Sequence, residues 1–453
     1  MPTSPDAIAL TITCTPAGDG AKLHWQADVL GARTSLLAPP IPAGDIALTL
    51  RALDVLQDPC YPYARTAAQT RYFAFDENER KRLAALDLFG ANGRVVADAP
   101  RRLGRRLYAA LTADPIAHAA LATVRDHATA LGRPLSLSLA FPPGAERLAA
   151  LPWELLWDDG PTPLLLSRGL AGGLTRCLDL PQALPPPRRG SGPLRILVLS
   201  PQTGISPELR QVERAARAAA MGTLSADGKA MVEEITPVSR AALVRAIAAH
   251  GPPDIVHFYG HGRLRDGDNE LRLDDPGADG WISAGALAAL LGGVGLITLY
   301  ACYGASVGES AGDPLLGGVA QALIAAGVPA VLGMQLAVRA TAATRAAATI
   351  YSALAGGQSL QTGVALARRA LFVEERDGVS WFVPALYLRE RAGEPFTLRA
   401  AVDTAAPPGA RQSVIAHGGG TIRALRIQGR AGSSQRVIAA RGGTISDVVI
   451  VDR

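Results

Sequence analysis

Cysteine is scarce in this chain. Its 453 residues include four cysteines, Cys14, Cys60, Cys177 and Cys302, and none lies close to another. This usage excludes a disulfide framework, and it excludes the closely spaced cysteine pairs of a zinc site. We therefore expect no metal and no cofactor. The reducing cytoplasm is the compartment that fits this cysteine usage best.

Long uninterrupted apolar runs are also lacking. The most apolar stretch, residues 319–338, is broken by Gly327, Pro329 and Gly333. We therefore interpret it as a helix, a turn and a core strand, and we expect no membrane span. The sequence opens without a basic segment followed by an apolar run, so that no signal peptide is predicted.

Lysine and aromatic residues are few. The net charge of +5 comes mainly from arginine, and aromatic residues make up 5% of the chain. Arginine pairs at 101–102, 105–106 and 188–189 have hardly any aromatic residues among them, a pattern that does not favour nucleic acid as a partner. Hydrophobic residues, in contrast, make up 48% of the chain, which excludes global disorder. The length predicts two or three domains.

Two short segments predict buried strands. Residues 255–259 and 296–300 are continuous runs of apolar, β-branched and aromatic residues, as in parallel strands covered on both faces. Between them, Ser283 predicts the N-cap of a helix over 284–291, which Gly292 ends. This is a strand, a crossover and a strand, and both strands of such a unit finish at the same edge of the sheet.

A histidine and a cysteine stand just after these strands. His261 follows the first strand and Cys302 follows the second, so that we expect the two side chains to meet at one edge, where α/β proteins place their sites. A nearby imidazole favours the thiolate, which would make Cys302 a nucleophile and His261 its proton acceptor and later donor. The alternative is a buried cysteine near a core histidine.

Other residues around His261 predict support for this site. His257 precedes His261 by four residues in one strand, so that both side chains face the same side, with His257 deeper. We leave His257 out of the dyad: it either orients the site or is a residue that simply packs, and Gly260 is a second candidate for site support. Gly260 and Gly262 flank His261, and glycine permits close approach of the backbone to a ligand.

Three segments carry a resemblance to a known family. They are His257-Phe-Tyr-Gly-His-Gly262, Ala301-Cys-Tyr-Gly304, and residues 313–335, which begin Asp-Pro-Leu-Leu-Gly-Gly and end Leu-Gly-Met-Gln. Over residues 151–391 the sequence resembles the CHAT domain, a bacterial branch of the caspase and separase clan of cysteine peptidases. The resemblance implies an α/β fold built as a caspase-like parallel-sheet sandwich.

The resemblance also implies an activity. It is that of a cysteine endopeptidase, a hydrolase that cleaves protein substrates with a His261 and Cys302 dyad. The backbone N–H groups of Gly262 and Cys302 would form the oxyanion hole. The family association is with antiviral defence or cell-death signalling, in which an upstream sensor or activator protein engages the peptidase.

The sequence departs from the family after Gln335. Related domains commonly have an acidic residue a few positions on, whereas residues 337–341 here read Ala-Val-Arg-Ala-Thr. This departure weakens what the resemblance implies about the specificity pocket. Acidic residues in loops near the site give the hypothesis that a basic residue precedes the cut: Asp266, Asp268, Glu309 and Asp313.

Composition and motifs divide the chain into five parts. Residues 1–180 contain the segment Leu151-Pro-Trp-Glu-Leu-Leu156, which resembles CHAT proteins, and the resemblance implies that they form a degenerate caspase-like half. Residues 181–193, rich in proline and glycine, predict a linker that is either passive or processed. Residues 194–395 are expected to form the peptidase subdomain, and a second linker, 396–410, is expected to precede a β-repeat tail over 411–453.

The spacing of apolar residues predicts the helices and strands of both halves. In residues 1–180, Trp153 and Trp157 are expected in the core, and Glu154 is a candidate partner in a buried ion pair. Helices are predicted over 77–86, 101–121 with a break at Asp114-Pro115, 207–220, 239–249 with Leu243, Val244 and Ile247 inward, from Asp313-Pro314 onward, 341–354 and 360–372. Strands are predicted over 7–13, 22–29, 134–141, 164–168, 194–199, 231–235, 328–334 and 382–388.

The tail contains a repeat. Residues 412–427 are echoed by residues 435–450, with a period of 23. Two copies are too few for an independent solenoid, so that the tail predicts binding to a partner or self-association through its strands.

Two rival functions remain on sequence grounds. One is a catalytically silent CHAT-like scaffold that recruits proteins through the tail. The other is a flavodoxin-like ligand-binding protein, which is disfavoured because no glycine-rich phosphate loop occurs at residues 199–203.

Overall fold

The structure is a computed structural model, and it describes most of the chain. The described residues are 7–56, 67–167, 173–178, 193–265, 268–301, 315–336, 340–374 and 380–389, together with the tail strands 412–416, 421–423, 426–429, 435–439, 444–446 and 449–452. Both predicted linkers fall almost entirely outside them, as do Asp313 and Pro314.

The main body, residues 1–400, is one compact unit, and it contains fourteen strands among its described residues. The strands are β1 (Ile8–Ala17), β2 (Gly20–Ala27), β3 (Leu30–Leu37), β4 (Leu135–Phe141), β5 (Gly173–Leu178), β6 (Leu194–Leu199), β7 (Ala230–Ile235), β8 (Ile255–Gly260), β9 (Gly262–Arg265), β10 (Asp268–Arg272), β11 (Trp281–Ser283), β12 (Leu296–Ala301), β13 (Ala330–Met334) and β14 (Pro384–Leu388).

Helices cover these strands. Within the described residues they are α1 (Ile46–Val55), α2 (Ala67–Tyr72), α3 (Glu77–Ala85), α4 (Ala99–Thr112), α5 (Pro115–Ala130), α6 (Glu146–Ala149), α7 (Pro207–Ala226), α8 (Arg240–His250), α9 (Ala284–Leu291), α10 (Leu315–Ala325), α11 (Ala340–Ala355) and α12 (Leu360–Glu374).

Eleven of the strands form one sheet. Its order is β3-β2-β1-β4-β5-β14-β13-β12-β8-β6-β7. The pairs β1/β2, β2/β3 and β13/β14 are antiparallel, and the other pairs are parallel. The α/β prediction is therefore confirmed as a mixed α/β fold with a large, mainly parallel sheet. The carboxyl ends of β6, β7, β8, β12 and β13 share one edge, here called the site edge.

The sheet runs without a break through both predicted halves. The strand β5 pairs in parallel with β14, which joins the strands before residue 180 to those after residue 193. Because β13 and β14 are antiparallel, the carboxyl ends of β1, β4, β5 and β14 lie at the edge opposite the site edge. The division of the chain at residue 180 stays a prediction.

Strand β8 shows why its sequence is apolar throughout. All six of its residues are buried, with Ile255 and Tyr259 in the core on one face of the sheet and Val256 and Phe258 in the core on the other. Burying a side chain such as Phe258 stabilises the fold by about 1.5–3 kcal/mol. The period-2 alternation places His257 and, next beyond the strand, His261 on the Tyr259 side.

The predicted crossover between β8 and β12 is confirmed and contains an insertion. The Ser283 hydroxyl accepts a hydrogen bond from the Ala286 N–H at 3.2 Å, and α9 ends at Gly292, where φ is +33°. The sequence analysis did not predict the small antiparallel sheet β9-β10-β11 that precedes this helix. Its first strand begins one residue after His261.

The break predicted at Asp114-Pro115 is also confirmed. The Asp114 carboxylate accepts a hydrogen bond from the Ile116 N–H at 2.8 Å and so caps α5. No single helix in the described ranges is long and apolar enough to cross a membrane, and one bent pair, α4 with α5 at 104°, meets the criteria of length and composition.

Two predictions of local structure are wrong. Residues 164–166 form a short 3-10 turn, not a strand, because Pro163 precedes them and the Leu166 N–H bonds back to the Pro163 carbonyl. The strand here is β5, whose apolar pattern is interrupted by Arg176. Val244 is 51% exposed, because it lies about 100° around α8 from the buried Leu243.

The aromatic and ion-pair predictions for the first half are confirmed. Trp153 and Trp157 are buried, and Glu154 is fully buried against Arg176. Arg176 Nε donates to Glu154 Oε1 at 3.1 Å. A second buried guanidinium, that of Arg368, lies 3.6 Å from the same oxygen. This buried charge cluster of Glu154, Arg176 and Arg368 connects β5 with α12.

The tail is a second compact unit, residues 401–453. Its strands pair in parallel across the repeat, so that Val414 lies opposite Val437 and Ile427 opposite Ile450. Paired residues are 23 positions apart, so that equivalent positions of the two copies lie opposite each other. The strands are β15 (Gln412–Ala416), β16 (Thr421–Arg423), β17 (Arg426–Gly429), β18 (Gln435–Ala439), β19 (Thr444–Ser446) and β20 (Val449–Asp452).

Candidate active site

The register of β8 and β12 determines which residues lie side by side at the site edge. These neighbouring parallel strands align Tyr300 with Tyr259 and Ala301 with Gly260. The next residue after β12 is Cys302, and the next residue after β8 is His261. Cys302 and the loop up to residue 314 lie outside the described residues, so that the dyad stays a prediction.

His261 is held at the site edge by its neighbours. Its carbonyl accepts a hydrogen bond from the Arg272 N–H at 2.9 Å, which ties the residue to β10. Its ring lies against Gly204, where an added Cβ would stand 3.1 Å from Nε2 and 3.3 Å from Cδ2. The other ring nitrogen, Nδ1, is enclosed and has no hydrogen-bond partner among the described residues. One ring nitrogen therefore lies against the Gly204 backbone, and the other has no partner among the described residues.

Three effects act on the pKa of His261. Burial has the largest effect and lowers the pKa, because the charged form loses water. A hydrogen bond with the Gly204 backbone raises it, and the Arg272 guanidinium lowers it by repulsion. The net effect is a lowered pKa, so that the imidazole is neutral at pH 7 and can accept a proton.

Sequence reasoning missed Gly204. It lies in the loop after β6, whose carboxyl end is at the site edge beside β8. Its φ of +81° is a conformation that favours glycine. The available signal was a glycine five residues beyond a predicted strand in the same sheet, but the contact depends on the strand order.

The two glycines that flank His261 differ in their surroundings. At Gly260 an added Cβ would lie 2.9 Å from the Phe258 ring and 3.4 Å from Pro201, so that the space permits little beyond glycine. At Gly262 the nearest atom, the Glu270 carbonyl oxygen, would be 3.6 Å away, an ordinary contact. The oxyanion-hole role of the Gly262 N–H stays a prediction.

His257 lies deeper than His261, as predicted, and belongs to a buried polar group. Its Nδ1 is 3.0 Å from the Tyr351 hydroxyl and 3.4 Å from Thr298 Oγ1, and these two hydroxyls are 2.7 Å apart. Its ring packs on that of Tyr300, with centroids 4.7 Å apart. Burial, and secondarily the Arg217 guanidinium, lower the pKa of His257 to about 3. This histidine therefore stays neutral and packs beneath the site edge.

Gln335, the last residue of the third family-like segment, follows β13 directly and binds the buried charge cluster. The Gln335 amide donates to Glu154 at 2.8 Å and to the Phe382 carbonyl at 2.9 Å, and it accepts from Arg176 at 2.6 Å. Gln335 thus completes the buried charge cluster. Of the loop acids predicted to select substrate, Asp268 begins β10 and is exposed, whereas Asp266, Glu309 and Asp313 lie outside the described residues.

In the part of the chain that the structure describes, no group of three or more histidine, cysteine, aspartate or glutamate side chains could hold a metal ion.

Comparisons with known proteins give one family and a number of loosely similar structures. The Arg-specific cysteine proteinase gingipain R (RgpB) has a TM-score of 0.39 and 11% identity, covering 66% of this chain and 74% of that chain. The complex of Porphyromonas gingivalis RgpB pro- and mature domains has a TM-score of 0.36 and 11% identity, covering 68% and 77%. The search of curated proteins found no match.

The family model of the CHAT domain matches residues 101–402. This match covers well over half of the 453 residues and includes β4 to β14 with the segment around His261. The chain therefore belongs to the CHAT domain family.

Proposed function

We propose that this chain is a cysteine endopeptidase with a caspase-like sandwich fold, in which Cys302 is the nucleophile and His261 the general base. The observation that carries the proposal is the register of β8 and β12, since the pairs end at Ala301 and Gly260 and the next residues are the thiol and the imidazole. Membership in the CHAT domain family supports the same assignment.

The surroundings of His261 suit proton transfer. Its lowered pKa leaves the ring neutral at pH 7, and Nδ1 has no partner among the described residues. In the proposed reaction, the Cys302 thiol gives its proton to Nδ1 and the sulfur bonds to the carbonyl carbon of the scissile amide. The negative carbonyl oxygen is stabilised by the N–H groups of Gly262 and Cys302.

The tetrahedral intermediate then breaks down. The imidazolium gives its proton to the amide nitrogen as the C–N bond breaks, which releases the amine and leaves a thioester on Cys302. A water molecule gives a proton to His261 and attacks the thioester, which releases the carboxylic acid and restores the thiol. The contact of Nε2 with Gly204 fixes the ring during both transfers.

The first experiment is labelling with iodoacetamide, with the labelled sites mapped by mass spectrometry. We expect Cys302 to react far faster than Cys14 and Cys177, which are buried, and burial raises the pKa of the Cys14 thiol to about 12. His261→Ala should slow labelling of Cys302 about 10²–10⁴-fold, the usual range for a general base. Equal rates at Cys302 in wild type and His261→Ala would contradict the dyad.

Hydrolysis of a peptide library is the second arm of this experiment. Cys302→Ala should abolish hydrolysis without a change in the thermal melting temperature. Hydrolysis that persists in Cys302→Ala would contradict the proposal, and labelling without hydrolysis would favour the scaffold.

Gly204 gives a sharper test of how His261 is held. In Gly204→Ala the new methyl would meet the imidazole at 3.1 Å and the backbone would be strained at φ +81°. We expect labelling of Cys302 to slow about tenfold or more. Gly228→Ala is the matched control, because Gly228 has φ +67° with open space around it, so that it adds strain alone. Equal labelling rates in the two variants would contradict the role of this contact.

Regulation and partners are part of the proposal. By analogy within the family, an upstream sensor or activator protein engages this peptidase in the cytoplasm during defence or cell death. The tail strands, paired across the repeat, are the proposed surface for such a partner or for self-association.

A further inference from the structure

The loop that carries Gly204 needs support from elsewhere in the fold. Residues 200–205 follow β6 and form neither helix nor strand. Gly204 nevertheless stands within contact distance of His261. A displacement of this loop by about 1 Å would release the ring, since catalytic geometry is lost over such distances.

Asp274, just after β10, supplies that support. Its Oδ1 accepts three hydrogen bonds from the loop: from the Gln202 N–H at 2.7 Å, from the Thr203 N–H at 2.9 Å and from the Thr203 hydroxyl at 2.9 Å. Its Oδ2 accepts a fourth from the Val238 N–H at 2.8 Å, in the segment after β7. One carboxylate therefore joins the segments that follow two neighbouring strands at the site edge.

Asp274 is also fixed relative to His261. The Asp274 N–H donates to the Val238 carbonyl at 2.7 Å, and two residues earlier the Arg272 N–H donates to the His261 carbonyl at 2.9 Å. These contacts close a ring that runs from the His261 backbone through Arg272 and Asp274 to the 200–205 loop, and through Gly204 back to the His261 imidazole.

We propose that Asp274 is a positioning residue for His261, which holds the 200–205 loop, and with it Gly204, against the imidazole. The sequence analysis did not single out Asp274, and the residue acts through the loop without touching the reacting atoms. Its catalytic meaning rests on the proposed peptidase function, whereas the positioning itself is a property of the fold.

The hydrogen bonds of Asp274 require a carboxylate. Four donors converge on its two oxygens, so that both oxygens must accept. In Asp274→Asn one of the two groups becomes NH₂ and faces either the loop N–H groups or the Val238 N–H. In Asp274→Ala all four donors lose their partner. Asp275 is the matched control, because its carboxylate accepts from the Arg240 N–H at 3.0 Å, at the start of α8 and away from the loop.

The experiment measures iodoacetamide labelling of Cys302 between pH 5 and 9 in the full chain, for wild type, Asp274→Asn and Asp275→Asn. Substitution of supporting residues of this kind changes activity about 10–100-fold. We therefore expect the labelling rate at pH 7 to fall by about 10–100-fold in Asp274→Asn and to change by less than about threefold in Asp275→Asn. The pH profile of the labelling rate should also shift in Asp274→Asn. Loss of the hydrogen bond with Gly204 removes the effect that raises the pKa of His261, whereas burial and Arg272, which lower that pKa, remain.

A second readout does not depend on catalysis. Hydrogen exchange at the Gln202, Thr203 and Val238 amides should speed up in Asp274→Asn and stay as in wild type in Asp275→Asn. If wild-type Cys302 proves unreactive, the proposed function fails and the exchange data alone decide the positioning role. Unchanged exchange at all three amides in Asp274→Asn would overturn the inference, as would equal labelling rates and profiles in the two variants when Cys302 is reactive.

Discussion

Two histidines four residues apart show how burial separates the roles of identical side chains. His261 lies at the end of β8 with one ring nitrogen unpartnered among the described residues, whereas His257 lies within the strand and contacts Tyr351 and Thr298. Both pKa values are lowered, mainly by burial. His257 packs on Tyr300 beneath the site edge, and His261 is the residue proposed to exchange a proton.

His257 predicts a pH dependence of stability. Its pKa is about 3 in the folded chain and about 6.5 when unfolded, so that the unfolded state binds more protons between these values. Stability is therefore full above pH 6.5 and is lost as the pH falls towards 3. From pH 7 to pH 5 this group alone should cost about 2 kcal/mol.

Urea unfolding of wild type and His257→Gln at the two pH values measures this effect. Glutamine keeps a neutral hydrogen-bonding group, so that the variant should lose about 2 kcal/mol less than wild type on going from pH 7 to pH 5. Parallel losses in the two proteins would show that His257 does not stay neutral in the folded state.

Individual elements show what the sequence could predict and what it could not. Strand β8, strand β12 and the capped helix between them follow from local patterns, and so does the position of His261 at a strand end. Strand β5 was missed because Arg176 interrupts its apolar pattern, and that arginine is buried only because Glu154 and Gln335 reach it from other segments. Gly204 and Asp274 were missed because their contacts depend on the order of the strands.

The buried charge cluster predicts a strong effect of one substitution. Glu154→Gln removes the carboxylate that faces two buried guanidinium groups, Arg176 and Arg368. Leaving buried charges without their partner costs about 3–5 kcal/mol, and we expect a loss of stability of that size. Glu77→Gln should change stability by less than about 0.5 kcal/mol, because its pair with Lys81 is exposed. Urea unfolding of both variants measures the difference, and similar midpoints would contradict this account.

At the scale of the whole molecule, the sheet unites segments that the sequence separates. The pair β5/β14 joins residues about two hundred positions apart, and Arg176 on β5 donates to the Tyr387 hydroxyl on β14 at 3.0 Å. Periodicity identified β14 but not β5, and it contains no information on which strands will be neighbours. The predicted boundary at residue 180 follows from the family-like segment before it and the proline-rich linker after it, and the sheet passes across it.

A cut between the halves should therefore not separate them. With a specific protease site placed in residues 181–192, we expect the two fragments to elute together on gel filtration after cleavage, with labelling of Cys302 unchanged. The reason is that separation would expose the edges of β5 and β14 and would divide Glu154 and Arg176 from Arg368 and Gln335. Separate elution in native buffer would show that the shared sheet does not hold the halves together.

The continuous eleven-stranded sheet also bears on the kinetics of activation. A peptidase that completes its sheet by joining two subunits becomes active at a rate that depends on concentration, and dilution returns it to the inactive state. Here one chain supplies every strand of the sheet. As far as the sheet is concerned, the proposed activity should therefore appear at a rate that is first order in the protein and unaffected by dilution.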